Sequence, residues 1–318
     1  MTPLLLCLVL LWPQQLDEAA LRSAAARDAR DADARYRLGL VLFKQRKLDE
    51  SARVLEEAAR IEPAQVLIWR ALALVRGARQ DGLGEARALQ KIIEIDPGDA
   101  AAYRKLATLL LDHRTADAAL AVALSGTQRF PADAEMLRLR GLAHYGLGHK
   151  PEAIDSFLSA MDAAPESELV LASIETLIPE AGPDRLPAIQ GRLRRFTQLK
   201  PASPLGYFLL ALSGDEREAN LGKALAADAA FWPAHFELGR MRRDQSDRDG
   251  AMAAFNQTLQ LHPEHEGAHF ALSLLYAEAG DREQARVHRE AHHQLRARAA
   301  EAEQQRTAAA PRLQVTVR

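Results

Sequence analysis

The side chains with the greatest potential for chemistry are histidines near the end of the chain. His288 and His292 are four residues apart, so in a helix they would share one face. His262, His265 and His269 lie across a helix boundary just before them. Two such histidines can bind a metal, but no Glu–His motif and no suitably placed third ligand accompany them. The pattern predicts a polar, titratable surface; a metal-binding or enzymatic accessory role for this region is the alternative.

The rest of the sequence contains no recognisable catalytic motif. It has no glycine-rich phosphate loop, no nucleophile elbow and no paired-carboxylate signature. Its single cysteine, Cys7, excludes an intramolecular disulfide and a cysteine-ligated zinc site. The net charge is −2, so there is no basic excess to hold a nucleic-acid backbone. We therefore expect a protein that is not an enzyme, needs no cofactor and does not bind nucleic acid.

Proline recurs at a fixed spacing through the first half of the chain. Pro63, Pro97, Pro131 and Pro165 follow one another at intervals of 34 residues. If each proline is position 32 of a unit, other positions repeat as well. Position 4 is Arg35, Trp69, Tyr103 and Leu137; position 8 is Gly39, Ala73, Ala107 and Gly141; position 24 is Leu55, Leu89, Ala123 and Phe157. A fixed period of this length indicates an array of supersecondary units.

This pattern resembles the tetratricopeptide repeat (TPR), which has a large residue at position 4, Leu-Gly at positions 7 and 8, an Ala–x3–Phe step and a closing proline. The agreement is best in the units that end at Pro63, Pro165 and Pro263. The resemblance implies an all-α fold, a right-handed α-solenoid of about eight helix-turn-helix hairpins. Each hairpin has two amphipathic helices, A and B, whose apolar faces are buried only when neighbouring units stack. The proline ends helix B because it has no backbone N–H to donate.

The repeat frame divides the chain into five segments. They are 1–15, an apolar N-terminal segment; 16–167, a half-repeat cap followed by four regular units; 168–231, irregular and shortened units; 232–299, C-terminal units with a polar cap; and 300–318, a flexible tail. The last helix is expected to run from Glu283 to about Arg298, with the polar outer surface that a solenoid cap needs.

The third segment breaks the regular spacing. Pro165 and Pro201 are 36 residues apart, and Pro179, Pro183 and Pro187 lie between them. A helix cannot continue through such a cluster, so helix A of this unit should end early. We expect this segment to be the weakest joint of the array.

The N-terminal segment contains nine consecutive apolar residues, 4–12, between Pro3 and Pro13. Their number suits the apolar region of a secretory signal, so we predict export to the periplasm or the extracellular space. However, no Lys or Arg precedes the run and no small-x-small cleavage site follows it directly. Two alternatives stay open: a weak membrane tether, and a buried capping helix in a cytoplasmic protein.

The family resemblance also implies a binding surface for a protein or peptide partner. In TPR proteins the A helices line the concave side, and positions 2, 5, 9 and 12 point into the groove. Position 5 here is Tyr36, Arg70, Arg104 and Arg138. We expect the three arginines to form a column with Tyr36 at one end. Because guanidinium groups bind carboxylates in a forked geometry, an acidic or C-terminal peptide, or an acidic partner helix, is the natural ligand.

Two observations limit this hypothesis. Position 9 is Leu40, Leu74, Thr108 and Leu142, so the Lys and Asn clamp of the family's chaperone-binding members is not reproduced. Leucines beside arginines favour an amphipathic ligand with apolar anchors flanked by Asp or Glu. The alternative is that each arginine pairs with a carboxylate of the protein itself, such as Glu135, and binds no ligand.

Overall fold

The computed structural model describes residues 18–309 and Leu313. These residues form seventeen α-helices and one short 3₁₀ helix, with no strand in the described part of the chain. They belong to two compact units, one containing residues 18–129 with Leu313 and the other containing residues 130–309. The all-α fold of tandem hairpins is thus confirmed.

The first unit contains one single helix and three hairpins. Its helices are α1 (Glu18–Arg27), α2 (Ala32–Lys44), α3 (Leu48–Ile61), α4 (Val66–Ala78), α5 (Gly82–Ile95), α6 (Ala100–Asp112) and α7 (Ala116–Arg129). Helix α1 packs on α2 and occupies the place of the expected half-repeat cap. The hairpins α2–α3, α4–α5 and α6–α7 are repeats 1–3.

The second unit contains five hairpins, repeats 4–8. Its helices are α8 (Ala134–Gly146), α9 (Lys150–Ala163), α10 (Glu168–Ala172), a 3₁₀ helix (Glu175–Glu180), α11 (Leu186–Leu199), α12 (Pro204–Leu212), α13 (Arg217–Ala227), α14 (Trp232–Asp244), α15 (Arg248–Leu261), α16 (Glu266–Glu278) and α17 (Arg282–Ala309). The described residues therefore contain eight hairpins, the number that the sequence predicts.

Small residues at position 8 allow the two helices of a hairpin to approach closely. A Cβ added at Gly141 of α8 would lie 2.5 Å from the Phe157 ring in α9, and Phe157 is fully buried. The same pairing of positions 8 and 24 recurs between Gly39 and Leu55 and between Gly239 and Phe255. Because the glycine makes room for the large side chain, the identity of position 8 is set by packing.

The side chain at position 4 holds the turn that precedes its own hairpin. In three repeats its ring nitrogen faces a backbone carbonyl six residues earlier. The contacts are Trp69 Nε1 to Pro63 O (2.8 Å), His235 Nε2 to Ala229 O (3.0 Å) and His269 Nε2 to Pro263 O (3.0 Å). A ring N–H that satisfies a turn carbonyl explains why a large residue with a donor suits this position.

The turn between helices A and B contains a left-handed residue at position 15. Lys47, the next residue in repeat 1, donates its N–H to Leu42 O at 2.9 Å, the six-residue bond of a Schellman motif. The left-handed residue is Gly148 in repeat 4 and Gly280 in repeat 8. In four other repeats it is not glycine: Arg46, Gln80, Arg114 and Ser246, with φ between 54° and 63°. These four residues adopt a conformation that side chains disfavour.

Repeat 5 accommodates its prolines by shortening helix A. Helix α10 has only five residues and is followed by the 3₁₀ helix, which contains Pro179. The chain returns to a regular α-helix in α11, where Pro187 lies in the first turn and therefore needs no intrahelical donor.

A row of ion pairs connects α9 and the residues just after it with repeat 5, from the end of its 3₁₀ helix to the residue after α11. We call this row the α9–α11 ladder. Its pairs are Lys150–Glu180, Asp155–Arg185 (3.1 Å), Asp162–Arg192 (2.5 Å) and Glu166–Lys200 (3.4 Å). Each pair is partly exposed and would contribute at most about 1 kcal/mol alone. Four adjacent pairs nevertheless attach the proline-rich repeat to its neighbour along the length of a helix.

Helix α17 is longer than the sequence predicts. It was expected to end near Arg298 but continues to Ala309, so residues 300–309 are helical. Ala, Glu, Gln and Arg dominate this stretch, and their helix propensity supports a helix beyond its last packing contact. Leu313 donates its backbone N–H to Thr115 Oγ1 at 3.1 Å within the first unit.

The N-terminal apolar segment and most of the expected tail beyond Ala309 lie outside the described residues. The predictions of export and of a membrane tether depend on that segment, and they stay predictions. Within residues 18–309, no helix is both long enough and apolar enough to cross a membrane.

Replacing Gly141 with alanine should destabilise the second unit. The new methyl group would overlap the buried Phe157 ring, and overpacking of this kind costs about 1–3 kcal/mol. Gly222 in α13 is the matched control, because an added Cβ there finds no atom within 4 Å. Gly222→Ala should gain about 0.5–1 kcal/mol from helix propensity. Urea unfolding followed by circular dichroism measures both changes. A Gly141→Ala variant as stable as the parent would contradict the packing argument.

Breaking the α9–α11 ladder should loosen repeat 5. Arg192→Glu removes the pair with Asp162 and places two carboxylates together, so we expect a loss of about 1 kcal/mol, or about a fivefold rise in local opening. Limited proteolysis between residues 173 and 185 measures that opening. Arg195→Glu is the control, because this exposed residue of the same helix has no ion-pair partner in the described part of the chain. Equal cleavage of the two variants would argue against the ladder.

Candidate functional site

The A helices present one open stripe along their lengths, formed by positions 2, 5 and 9; we call it the A face. In repeats 1–4 every residue at these three positions is partly or fully exposed. Position 3 of the same helices is buried in all four repeats: Ala34, Ile68, Ala102 and Met136. The side chains at positions 2, 5 and 9 are therefore accessible to a partner.

Arg70 on α4 is the most clearly placed of the predicted site residues. Its Nη2 donates to Asp99 Oδ2 at 2.8 Å, and its side chain stays 39% exposed. The other carboxylate oxygen of Asp99 accepts the N–H of Ala102 at 3.0 Å and caps α6. Arg70 therefore connects repeat 2 to the first turn of repeat 3 while it keeps contact with solvent.

Tyr36 and Arg104 occupy the equivalent positions of α2 and α6. Both side chains are partly buried. Burial raises the pKa of the Tyr36 phenol, and the negative charge of Asp33 adds to the shift. The phenol is therefore neutral over the physiological range and can act as a hydrogen-bond donor or acceptor. In the first unit the A face thus combines a neutral phenol with two guanidinium groups.

Arg138 is placed differently, on α8 of the second unit. Its Nε and Nη2 donate to the two carboxylate oxygens of Glu135, each at 2.7 Å, and its side chain is only 14% exposed. This is the self-pairing that the sequence left open as an alternative, and the contact between Arg70 and Asp99 is a second case of it. The expected three-arginine column joins residues of two separate units, and it stays a prediction.

In the second unit the A face changes character. Position 5 is Phe208, Phe236 and Phe270 in repeats 6–8, where repeats 2 and 3 of the first unit have arginine, although Phe208 is buried. Phe270 is 46% exposed, and Leu274, one helical turn further along α16, is 43% exposed. The four regular units, which end at Pro165, do not include this surface. It becomes visible when the same 34-residue frame is continued past Pro201 and Pro263.

A positive charge lies at position 9 of repeat 7, on the same stripe. Glu237 is buried and accepts hydrogen bonds from Arg240 Nη1 at 2.6 Å and from Arg217 Nη2 at 3.1 Å. One carboxylate thus faces two guanidinium groups, and the Arg240 side chain is 47% exposed. In repeats 7 and 8 the A face therefore combines exposed apolar side chains with a guanidinium group.

The histidines do not form a metal site. No group of three or more His, Cys, Asp or Glu in the described part of the chain could hold a metal ion. His288 and His292 share a helix face by spacing, but Nδ1 of His288 lies 2.9 Å from Nδ1 of His269 on α16. His292 Nδ1 lies 3.4 Å from Glu266 Oε1. The geometry therefore gives no support to the metal-binding alternative for this region.

A shallow cavity of about 280 Å³ lies between α3 and α4, outside the A face. It is lined by Glu56, Ala59, Arg60, Trp69, Leu72 and Arg76. The Arg76 guanidinium donates to Glu56 Oε1 at 2.8 Å and to Gly84 O at 2.9 Å. The polar groups that line the cavity thus connect α3 with the start of α5, which is a structural role.

Tandem hairpins with an accessible A face define a helical-repeat scaffold, a class whose common role is protein–protein interaction. The chain belongs to the tetratricopeptide repeat family, whose sequence model matches residues 15–66, 40–100, 104–168 and 236–288, well over half of the chain.

Individual relatives are more distant. Human protein O-mannosyl-transferase TMTC3 is 26% identical over 217 residues, which cover 65% of this chain but only 24% of that protein. A solved C-terminal part of a TPR repeat-containing protein from Cytophaga hutchinsonii is 15% identical, with a TM-score of 0.53 over 74% of this chain and 99% of its own. PilF of Pseudomonas aeruginosa is 17% identical, with a TM-score of 0.45 over 80% of this chain and 99% of its own. At such identities the structural similarity shows the fold alone.

Proposed function

We propose that the chain is a non-catalytic scaffold that binds an acidic, amphipathic segment of a partner protein on its A face. The observation that carries this proposal is the exposure of large apolar and cationic side chains at repeated positions of that face. Leu67 and Arg70 show it in the first unit, and Phe270 and Leu274 show it in the second. Exposed apolar side chains that recur on one surface are typical of an interaction site.

The donors of Arg70 explain the preference for an acidic ligand. A guanidinium group has five N–H donors, and Asp99 takes one of them at 2.8 Å. The remaining donors can bind a carboxylate of a partner without breaking the contact that joins repeats 2 and 3. Arg104 offers the same type of group one repeat further along the first unit.

Leu67 supplies the apolar part of the same surface. It precedes Arg70 by three residues, so the two side chains lie on one side of α4. Its side chain is 43% exposed, which leaves apolar area for a ligand to cover. A segment with an apolar anchor and a nearby carboxylate would satisfy both residues.

The availability of the arginines differs, which makes the proposal specific. Arg138 is bound through two hydrogen bonds to Glu135 and is mostly buried. We therefore assign carboxylate binding in the first unit to Arg70, with Arg104 at the equivalent position of the next repeat and Tyr36 as a neutral neighbour. Arg138 contributes mainly to the stability of α8.

Charge reversal on the A face tests the ligand chemistry. The probes are two labelled peptides of equal length, one with leucines flanked by glutamates and one in which lysines replace the glutamates. The protein should bind the acidic peptide, and Arg70→Glu with Arg104→Glu should weaken that binding 10- to 100-fold, because charge-assisted hydrogen bonds contribute about 1.5–3 kcal/mol. Fluorescence anisotropy at constant ionic strength measures the change.

The control for this experiment is Arg53→Glu with Arg87→Glu, which changes the same charge on two exposed B-helix residues. This variant should bind the acidic peptide as the parent does. Arg138→Glu should lower stability more than affinity. Unchanged affinity in the Arg70 and Arg104 variant, or tighter binding of the lysine peptide by the parent, would refute the proposed ligand class.

A further inference from the structure

We propose that the seam between α16 and α17 is a pH-operated clamp, closed while His269 and His288 hold no more than one extra proton and released when both are protonated. We call this pair the histidine clamp. It would make the last repeat a module that opens on acidification. This role is independent of ligand binding on the A face.

The contacts fix which nitrogen of each ring carries a hydrogen. His269 Nε2 lies 3.0 Å from Pro263 O, and a carbonyl oxygen can only accept, so Nε2 carries the hydrogen. In a neutral ring, His269 Nδ1 is then an acceptor. His288 Nδ1, at 2.9 Å, must supply the hydrogen to it. The clamp is therefore a directed chain that runs from His288 to His269 and on to the carbonyl of Pro263.

The surroundings of His288 favour its neutral form. Its ring stacks on Tyr276 with a centroid distance of 5.5 Å and an interplanar angle of 6°. Burial lowers the pKa of His288, and the proximity of His269 lowers it further. At neutral pH the His288 ring is therefore uncharged, and its Nδ1–H donates to His269 Nδ1.

Acid acts on the clamp in two steps. The first extra proton can go to His288 Nε2, which leaves the Nδ1 hydrogen bond in place. The second must go to His269 Nδ1, where it would set two N–H donors against each other and bring two positive charges together. A histidine ring in water takes up a proton near pH 6.5. The closed seam therefore binds fewer protons than the open one below that pH.

The sign of the effect follows from this difference. Because the pKa of His288 is lowered in the closed seam, its stabilising contribution is complete above about pH 6.5 and is lost as the pH falls below it. Each excluded proton raises the opening constant roughly tenfold per pH unit in that range. The clamp is thus set to respond between neutral and mildly acidic conditions.

A second histidine in the same repeat responds in the same direction. His265 Nδ1 accepts the backbone N–H of Ala268 at 3.0 Å and caps α16. A protonated ring has no acceptor, so acid would remove this cap and put a positive charge at a helix N-terminus. Burial lowers the pKa of His265, and the neighbouring His262 adds to the shift.

The other groups around the clamp are few. From α14 the rings of Trp232 and Phe236 contact His265 at centroid distances of 4.9 and 4.4 Å, without adding charge. Glu266 is the opposing charge, with its Oε1 3.4 Å from Nδ1 of His292. One carboxylate beside His292 does not relieve the contact between His269 and His288.

The clamp matters because α17 buries few side chains against α16. Ala285 is the one buried side chain of α17 among those that the structure describes. Apolar burial therefore contributes little at this seam, and its polar contacts carry a larger share of the docking. Opening the seam would expose apolar residues of α16 that are now covered, such as Leu272 and Leu275.

Hydrogen exchange on the full chain tests the clamp. Protection of backbone amides in 282–295 should fall at least tenfold between pH 7.5 and pH 5.5, after correction for the intrinsic exchange rate. Protection in α2 and α3, which contain no histidine, should not change. His269→Gln with His288→Gln keeps hydrogen-bonding groups but cannot titrate there, so it should lose most of the pH dependence.

The matched control is His235→Gln. His235 also occupies position 4, and its Nε2 lies 3.0 Å from a turn carbonyl, that of Ala229. In the described part of the chain it does not pair with another histidine. This variant should keep the full pH response. If the double variant does not fold, ¹⁵N spectra of the parent histidines decide the question. Equal protection at both pH values, or ¹⁵N spectra in which His269 and His288 each gain a proton near pH 6.5 with the seam still protected, would overturn the proposal.

Discussion

The close approach of the two helices in each hairpin is the constraint on which the rest of the array depends. It requires a small residue at position 8; in repeats 1, 4 and 7 this is a glycine that faces a large side chain at position 24, as Gly141 and Phe157 show. In repeat 1 the hydroxyl of Ser51 also donates to Gly39 O at 2.7 Å across the same crossing. This packing decides which side chains of helix A are covered by helix B and which stay exposed. The A face is a consequence of that packing.

The adjacent positions 4 and 5 of helix A have different roles. Position 4 turns toward the preceding turn, where Trp69 and His269 satisfy carbonyl groups. Position 5, one residue on, varies: it is arginine in repeats 2–4 and phenylalanine in repeats 6–8, where Phe208 is buried and Phe270 is exposed. The fold can keep the first position for structure and vary the second freely. The difference between the two units in surface chemistry therefore needs no change in the backbone.

Periodicity predicts the fold well, because the 34-residue spacing determines the hairpins and their number. Contacts between side chains are harder to predict. His288 was matched with His292 by helical spacing, whereas packing places it against His269, 19 residues earlier. Arg70 pairs with Asp99, 29 residues away, because Asp99 lies at the N-terminus of α6, the first helix of the next repeat. The end of α17 was also missed, since helix propensity alone extends it beyond its packing partner.

The left-handed residues at position 15 have a further consequence for the energetics of the array. Arg46, Gln80, Arg114 and Ser246 each hold a conformation that costs a non-glycine residue about 1–2 kcal/mol. These costs lie in separate repeats, so they add independently. At position 15 the described residues therefore contain four strained residues, and a glycine there, as at Gly148 and Gly280, would relieve the strain in each repeat. The protein is therefore less stable than an array of the same repeats with glycine at these positions would be.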